Sequence, residues 1–500
     1  MFLETMEKGN RKVQYLVTLC ASVAAVTMGL SSAWPTPVIP KLKNNETNIE
    51  ITKDEVAWML SMSAPGFMAG SFASGFMLDQ LGRRSTLLWS ALPYGLGMTM
   101  AAISVSPWML YLTQFLWSAG TAILSVVMTI YFAEISDKDI RASLQLLTKF
   151  AFNLGCLLTM CVGPLLSFST LNYILLVMPF SYFVACFWIP ESPYFYLKEG
   201  KVKEAKKVLA TLRGYNKNEK RLEEDFLQMQ EDVKKETRRS SSPKELFTRK
   251  QYRKAIIIAA GLKMTQIMTG AVTIQQYLGL IMEDSGIDWT LPKICITFGA
   301  IRFVVSLLPS VLADKLGRRP LLIYSYFGVT VCLAVVGIYF FLMEVIGLSK
   351  EVLSPYGFIT LTGIICSNVI STIGFQSIVH VVAGEIFPLN VKATAMTALS
   401  IFGGVLSFLV ARGYQILKDC LGLCGVFWIF AGVALFGAIF SIAIIPETKG
   451  KSLREIQEQL QGDFYYEDEV ATENMVIPNG TCESGNDDVE LRELKKHEVA

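Results

Sequence analysis

One short charged phrase occurs twice in this chain of 500 residues, and each copy lies between two long apolar stretches. The first copy runs from Asp79 to Arg84 and reads Asp-Gln-Leu-Gly-Arg-Arg. The second runs from Asp314 to Arg319 and reads Asp-Lys-Leu-Gly-Arg-Arg. Solenoid repeats recur every 20–50 residues or so, whereas these copies are separated by almost half the chain. The duplication therefore predicts two related halves.

The apolar stretches around each copy are long enough to cross a membrane. Charged residues make up only 18% of the chain, against about 25% in ordinary soluble domains. A helix crosses the hydrocarbon layer with about 20 apolar residues, and only helices or closed barrels satisfy the backbone in lipid. These rules predict an all-α membrane protein with twelve transmembrane helices in two six-helix halves. The predicted spans are 14–37, 56–78, 85–105, 107–132, 142–166, 171–190, 254–283, 290–313, 320–345, 355–383, 394–416 and 422–446.

Charge divides the chain into four predicted segments. Residues 1–190 form the N-terminal six-helix half, and residues 254–446 form the C-terminal half. Residues 191–253 are highly charged, which predicts a cytosolic linker with short amphipathic helices. Residues 447–500 are polar and acid-rich, a composition that predicts a largely disordered cytosolic tail.

The positions of lysine and arginine predict the orientation of the chain. Short loops rich in these residues face the cytosol, and one side of the predicted bundle receives Arg83, Arg84, Arg141, Arg318 and Arg319. Both termini are then cytosolic, and the expected location is the plasma membrane. The sequon at Asn45 falls in the first outer loop, where glycosylation can occur.

The chain has no residue spacing typical of a metal site, a phosphate-binding loop or a catalytic triad. We therefore expect a carrier rather than an enzyme or an ATP-driven pump, with no cofactor and no nucleic-acid partner. The expected partners are a small solute and the lipid bilayer. The net charge of +2 gives no information about partners, and the sequence leaves the oligomeric state open.

The duplicated phrase also predicts ion pairs at the cytosolic helix ends. Glycine permits a tight chain reversal, and the arginine fork binds carboxylates bidentately. Carboxylates recur at matching places in the two halves, Glu134 with Glu385 and Glu191 with Glu447. We expect a cytosolic gate that holds the two halves together in one state and opens in the other. Its predicted members are Asp79, Arg83, Arg84, Glu134, Arg141, Glu191, Asp314, Arg318, Arg319, Glu385, Lys392 and Glu447.

Together these phrases resemble the sugar porter family of the major facilitator superfamily, which includes facilitative glucose transporters and insect facilitated trehalose transporters. The resemblance covers about residues 10–460, and Trp34-Pro35-Thr36-Pro37 looks most like the insect branch. It implies the major facilitator fold and transport by alternating access. Some proton-coupled relatives carry an acidic residue in the first span, but residues 31–37 contain none. Facilitated diffusion is therefore favoured.

The sequence departs from the family at the positions that bind sugar. The family's seventh span carries two glutamines and an asparagine, and of that motif this chain retains Gln266 and Thr269. Lys149 stands at a glutamine position of the fifth span, Arg302 at an asparagine position of the eighth, and His380 at a tryptophan position of the tenth. The predicted substrate-binding residues are Trp34, Lys149, Gln266, Thr269, Gln275, Gln276, Arg302 and His380.

The two cationic residues leave three functions open. Lys149 lies about 12 Å along its helix from Arg141, and Arg302 lies about 22 Å from Gly317, at 1.5 Å per residue. A charge at the bilayer centre costs at least ~2.5–3.5 kcal/mol, so each should face water, a partner or an anionic ligand. The first interpretation is a carrier of a neutral sugar, trehalose or a hexose. The second is an organic-anion or sugar-acid carrier that uses Lys149 and Arg302, and the third is a sugar sensor that does not transport. The family resemblance favours the first.

Overall fold

The computed structural model describes residues 12–44, 47, 49–136, 140–213, 220–238, 246, 252–306, 308–348, 350–387, 389–449, 455 and 459. Asn45, the predicted glycosylation site, lies outside these residues, and so does most of the tail. The described chain is helical, and it contains no β-strand.

Several spans of the first half are broken into two consecutive helices. The helix bounds are α1 (Lys12–Ala33), α2 (Pro35–Lys43), α3 (Lys53–Ser61), α4 (Ser63–Gln80), α5 (Arg83–Trp89), α6 (Ala91–Ala102), α7 (Pro107–Ile135), α8 (Arg141–Val162) and α9 (Phe168–Cys186). The break between α1 and α2 follows from the sequence, because Pro35 and Pro37 lack the N–H groups that a continuous helix needs. Met62 separates α3 from α4, and Ser90 separates α5 from α6.

The charged linker contains short amphipathic helices. They are α10 (Pro193–Lys198), α11 (Val202–Arg213) and α12 (Lys220–Arg238). Leu209 of α11 packs in one small buried cluster with Leu222 and Phe226 of α12. Gln14 at the start of α1 donates through Nε2 to the carbonyl oxygen of Leu212 at 3.1 Å. The linker is therefore attached at the end of the molecule where α1 begins.

The second half repeats the pattern of broken spans. Its helices are α13 (Arg253–Met268), α14 (Ala271–Gln276), α15 (Leu278–Ser285), α16 (Leu291–Val305), α17 (Leu308–Leu316), α18 (Arg318–Glu344), α19 (Lys350–Leu353), α20 (Phe358–Ile373), α21 (Phe375–Ile386) and α22 (Leu389–Ile444), with a 3₁₀ turn at Ser354–Tyr356. Gly422 kinks α22 with φ 71° and ψ −179°. The carboxylate of Glu344 accepts from the N–H groups of Leu423 and Cys424 at 3.0 and 3.1 Å. This contact caps the helix that restarts after the kink.

The helices have the lengths and compositions expected of a multi-pass membrane protein. Eight segments of the described chain are long and apolar enough to cross a bilayer: Lys12–Lys43, Pro107–Ile135, Ser143–Val162, Phe168–Cys186, Arg253–Gln276, Arg318–Glu344, Phe358–Ile386 and Thr394–Ile444. The last segment has 51 residues and the Gly422 kink, so it is long enough for two crossings. The pairs α3–α4, α5–α6 and α16–α17 lie at the other predicted spans. This arrangement is consistent with twelve crossings.

Close helix packing in the first half depends on glycine. A Cβ atom at Gly29 of α1 would lie 2.0 Å from the carbonyl oxygen of Phe152 in α8. A Cβ atom at Gly155 of α8 would lie 2.2 Å from the carbonyl oxygen of Val26. Small residues allow this approach, which is common between helices in membranes.

The two halves contact each other at several places, one of which is the packing of α2 on α15. Helix α8 packs on α16, where the rings of Phe150 and Phe303 lie 4.9 Å apart, and α3 and α4 pack on α22. A cavity lies between these contacts. We call the end of the molecule that carries Gly82 and Gly317 the basic end, and the end that carries Asn44 the opposite end.

Candidate functional site

Two glycines with positive φ begin the helices that follow the duplicated phrase. Gly82 has φ 84° and precedes α5, and Gly317 has φ 93° and precedes α18. A Cβ atom at Gly82 would also lie 2.6 Å from a carboxylate oxygen of Glu191. Both turns leave the first N–H groups of a helix open to a negative cap, which the helix dipole favours.

In the first half these turns carry a buried ionic cluster. Arg83 donates through Nε and a terminal nitrogen to both carboxylate oxygens of Glu134, at 2.8–3.1 Å. The side chains of this pair are only 5% and 14% exposed. The carboxylate of Glu191 accepts from the backbone N–H groups of Arg83 at 2.8 Å and of Arg84 at 3.1 Å. The predicted arginine and glutamates therefore meet, within one half.

The second half builds the same cluster with a longer ionic contact. Arg318 donates to one oxygen of Glu385 at 3.3 Å, and these side chains are 17% and 24% exposed. The carboxylate of Glu447 accepts from the backbone N–H groups of Arg318 and Arg319 at 3.0 and 3.1 Å. The repeat in the sequence is thus a repeat in geometry, with a tighter side-chain pair in the first half.

The two capping carboxylates respond differently to their surroundings. Burial raises the pKa of Glu191, although three backbone N–H groups donate to it and oppose the shift. Burial also opposes ionisation of Glu447, but four backbone N–H groups together outweigh it and lower the pKa. The second carboxylate is the more accessible to solvent of the two.

The other predicted gate residues also keep to their own half. Arg84 donates to the carbonyl oxygen of Phe187, and Arg319 donates to that of Ile442 at 2.7 Å. Lys392 lies beside Gly384, with its Nζ 3.7 Å from the position of an added Cβ. Asp79 is exposed, and the side chains of Arg141 and Asp314 are not among those that the structure describes. Contact between the halves through these residues stays a prediction.

Ion pairs between the halves occur at the opposite end instead. Asp54 at the start of α3 accepts from Arg412 of α22 at 2.5 Å. The guanidinium of Arg412 also lies over the ring of Trp58, 4.8 Å from its centroid. Lys43 at the end of α2 contacts Glu283 of α15 at 3.3 Å. Sequence reasoning missed these pairs, because no repeat or spacing relates residues so far apart in the chain.

The cavity between the halves has two lobes that share Val272 and Gln376. The main lobe has a volume of about 390 Å³ and the side lobe about 170 Å³. Of the predicted residues, the main lobe is lined by Gln266, Gln276 and His380. The side lobe is lined by Lys149, Gln275 and Arg302. Six of the eight predicted residues therefore lie at one cavity, whose volume suits a small polar solute.

The other two predicted residues line neither lobe. Trp34 is fully buried, and its indole Nε1 donates to Asn172 at 2.8 Å. Its ring packs edge-on against Trp117 at 5.2 Å, so it belongs to the core of the first half and not to the substrate site. Thr269 is also buried, and its hydroxyl donates to the carbonyl oxygen of Gln266 at 2.8 Å. Thr269 supports the chain break before α14 rather than the cavity wall.

Lys263 is a cavity residue that the sequence reasoning missed. It lines the main lobe, and its Nζ donates to Oε1 of Gln266 at 3.2 Å. Residues three apart on a helix share a face. The position of Lys263 three residues before Gln266, in an otherwise apolar run, was therefore the signal that could have placed it at the cavity. Within the described chain, no group of three His, Cys, Asp or Glu residues has the arrangement of a metal site.

Comparison with known proteins gives a consistent family. The profile described as "Sugar (and other) transporter" matches residues 17–460. A facilitated trehalose transporter of Bombyx mori is 30% identical over 461 residues, which cover 92% of this chain and 89% of the relative. A facilitated trehalose transporter of Apis mellifera ligustica is 29% identical over 453 residues, covering 90% and 88%.

Solved structures share the fold at low sequence identity. The xylose transporter XylE of E. coli in an inward open conformation superposes with a TM-score of 0.72 at 17% identity, covering 89% of this chain and 99% of that one. The major facilitator superfamily proton:xylose symporter XylE bound to 6-bromo-6-deoxy-D-glucose gives a TM-score of 0.69 at 17% identity, covering 90% and 100%. The predicted major facilitator fold is confirmed.

Proposed function

This chain belongs to the sugar transporter family, and from that membership we propose that it is a membrane carrier that moves a sugar by alternating access. One observation supports the mechanism above all. The cavity lies between the two halves, and two ion pairs join the halves at the opposite end. A molecule built in this way can release a solute at one end while the other is closed.

The basic end is proposed to face the cytosol. Arg83, Arg84, Arg318 and Arg319 concentrate there, as the positive-inside rule requires. The two ion pairs of the opposite end would then close the outer side, with both termini cytosolic and the plasma membrane as the expected location. Asn45 would lie outside, in the first outer loop.

The ionic clusters at the basic end are proposed to close the cavity in the alternate state. In the described state Glu134 and Glu385 are each paired within one half. When the basic ends approach, these carboxylates and Lys392 would exchange partners across the gap. The clusters hold each half rigid in one state and supply charges for the other.

The proposed substrate is trehalose or a hexose, and the proposed mode is facilitated diffusion. The trehalose transporters named above support the sugar class by their similarity over nine-tenths of the chain. Residues 31–37 contain no acidic group that would couple transport to protons. The cavity residues are assigned to binding, and no catalytic step is assigned to them.

Uptake into proteoliposomes tests this proposal. We expect saturable uptake of labelled trehalose or glucose, at a rate that an imposed pH gradient leaves unchanged. Gln266→Ala should lower uptake because the amide lines the main lobe. The exposed Gln80 lies outside both lobes, so Gln80→Ala is the matched control. Binding of sugar without uptake would instead support the sensor interpretation.

A further inference from the structure

Three cationic side chains line the cavity from three different helices. Lys149 of α8 and Arg302 of α16 line the side lobe, and Lys263 of α13 lines the main lobe. Neither lobe has an aspartate or glutamate among its described lining residues. The cavity therefore carries a net positive charge that its own walls do not neutralise.

Two of the amide oxygens that line the cavity already accept hydrogen bonds from its cations. Oε1 of Gln266 accepts from Lys263, and its Nε2 donates to the carbonyl oxygen of Gln376 at 3.1 Å. Oε1 of Gln275 accepts from a terminal nitrogen of Arg302. The cations therefore occupy two lining acceptors and add their own N–H donors to the cavity wall. A donor-rich site fits a ligand that is rich in acceptors.

Lys149 is a cavity cation for which the described structure shows no counter-charge. Its side chain is exposed to the cavity, and no described residue forms a hydrogen bond or ion pair with its Nζ. Charged side chains at membrane depth face a watery cavity, a partner or a ligand. Since the described walls supply no anion, the ligand is the remaining source of negative charge.

We propose that the cavity binds an oxyanion carried on a hydroxyl-rich solute, a sugar carboxylate or a sugar phosphate. This inference rests on the proposed sugar-carrier function and changes its preferred substrate from a neutral sugar to an anionic sugar derivative. The free donors of Arg302 can bind an oxyanion, and the lysines add point charges on the other walls. Asn153, Ser371 and Thr372 line the same side lobe and can bind the hydroxyls of the solute.

Exchange in proteoliposomes tests the inference with three labelled probes: D-glucuronate, glucose 6-phosphate and neutral D-glucose. We expect at least one oxyanion to exchange with a half-saturating concentration about 10-fold lower than that of glucose, on the scale of one hydrogen bond to a charged group. Comparison of the carboxylate with the phosphate identifies which oxyanion the site takes.

Charge-removing variants separate this effect from general damage. Lys149→Gln, Lys263→Gln and Arg302→Gln should each raise the ratio of the half-saturating concentration of the oxyanion to that of glucose about 10-fold. If another variant misfolds, Lys149→Gln still tests the inference. This change removes no hydrogen bond or ion pair of the ammonium group that the described structure shows. Lys254→Gln is the matched control, since Lys254 is an exposed lysine of the same helix as Lys263 and lines neither lobe.

The outcomes distinguish the two proposals. Exchange of glucose with no exchange or competition by either oxyanion would overturn the inference and leave the sugar-carrier function standing. Exchange of none of the three probes and of no trehalose by folded protein would overturn both. Oxyanion exchange that the three variants leave unchanged would show that these cations do not form the site.

Discussion

The two ends of the molecule use ionic groups in different ways. At the basic end, Arg83 and Glu134 form a bidentate pair within one half, with both side chains largely buried. At the opposite end, Asp54 and Arg412 pair across the halves, and Asp54 is 61% exposed. The pair of Lys43 and Glu283 is about 40% exposed on both sides.

This difference matches what each end must do in a carrier. Breaking a buried pair by removing one partner costs about 3–5 kcal/mol, so the cluster of the first half keeps that half rigid. Exposed pairs contribute about 0–1 kcal/mol, so a contact between the halves at the opposite end can open during each cycle. The stronger of these ion pairs lies within a half, and the weaker, more exposed ion pairs join the halves.

The largest effect is expected from breaking the buried pair. Glu134→Gln leaves the buried Arg83 without its counter-charge, and we expect the free energy of unfolding to fall by about 3 kcal/mol. Titration with SDS in mixed micelles measures the change. An unchanged unfolding midpoint would show that the pair does not stabilise the first half.

The matching change in the second half should have a smaller effect. Glu385→Gln removes a single contact of 3.3 Å to Arg318 between more exposed side chains, and we expect a loss of about 1 kcal/mol. The same titration compares the two variants directly. A loss equal to that of Glu134→Gln would contradict the difference between the halves.

Changes at the opposite end should shift conformation rather than stability. Asp54→Asn removes one of the exposed pairs between the halves, so we expect a shift of less than about 1 kcal/mol towards the state open at that end, roughly fivefold in population. Faster hydrogen–deuterium exchange in residues 50–62 and 405–416 would report it. The same shift should follow Arg412→Gln, and the double variant should add little. Unaltered exchange in all three variants would contradict a closing role.

The smallest expected effect is a pH dependence that differs between the capping carboxylates. The raised pKa of Glu191 means that its ionised form opposes folding at neutral pH, and this penalty falls as pH drops through the folded-state pKa. The lowered pKa of Glu447 gives stability that is complete above the unfolded value of about 4.3 and is lost only below it. As the pH falls from about 7 towards the unfolded value of about 4.3, wild type should therefore gain stability relative to Glu191→Gln but not relative to Glu447→Gln. SDS titration at both pH values measures the two differences, and equal trends would contradict the contrast.

Much of the fold and of the basic end could be predicted from the sequence. Apolar length gave the spans, and the repeated Gly-Arg-Arg phrase with Glu134 and Glu385 gave the correct partners, because the motif sets their spacing. The motif predicts a gate at this end but does not encode which state the protein adopts. Whether the halves meet here in the described state could therefore not be predicted.

Counting along the helices predicted several residues that line the cavity, whereas the chemical type of a residue was a poorer guide. Counting from Arg141 and Gly317 predicted that Lys149 and Arg302 lie deep in their spans, and both side chains line the side lobe. Trp34 was placed wrongly, because its indole N–H donates to Asn172 and its ring packs in the core of the first half. The contact of Asp54 with Arg412 depends on how the halves pack, which no local pattern contains.

Counterflow tests the central claim of alternating access to one sugar site most directly. Proteoliposomes are loaded with unlabelled solute and diluted into a trace of the same labelled solute, with trehalose, glucose and glucuronate in separate arms. We predict a transient accumulation of label above the outside concentration for at least one of them, because a site that reorients with solute bound exchanges inside for outside molecules. Binding of these solutes by folded protein without accumulation of any label would contradict the account.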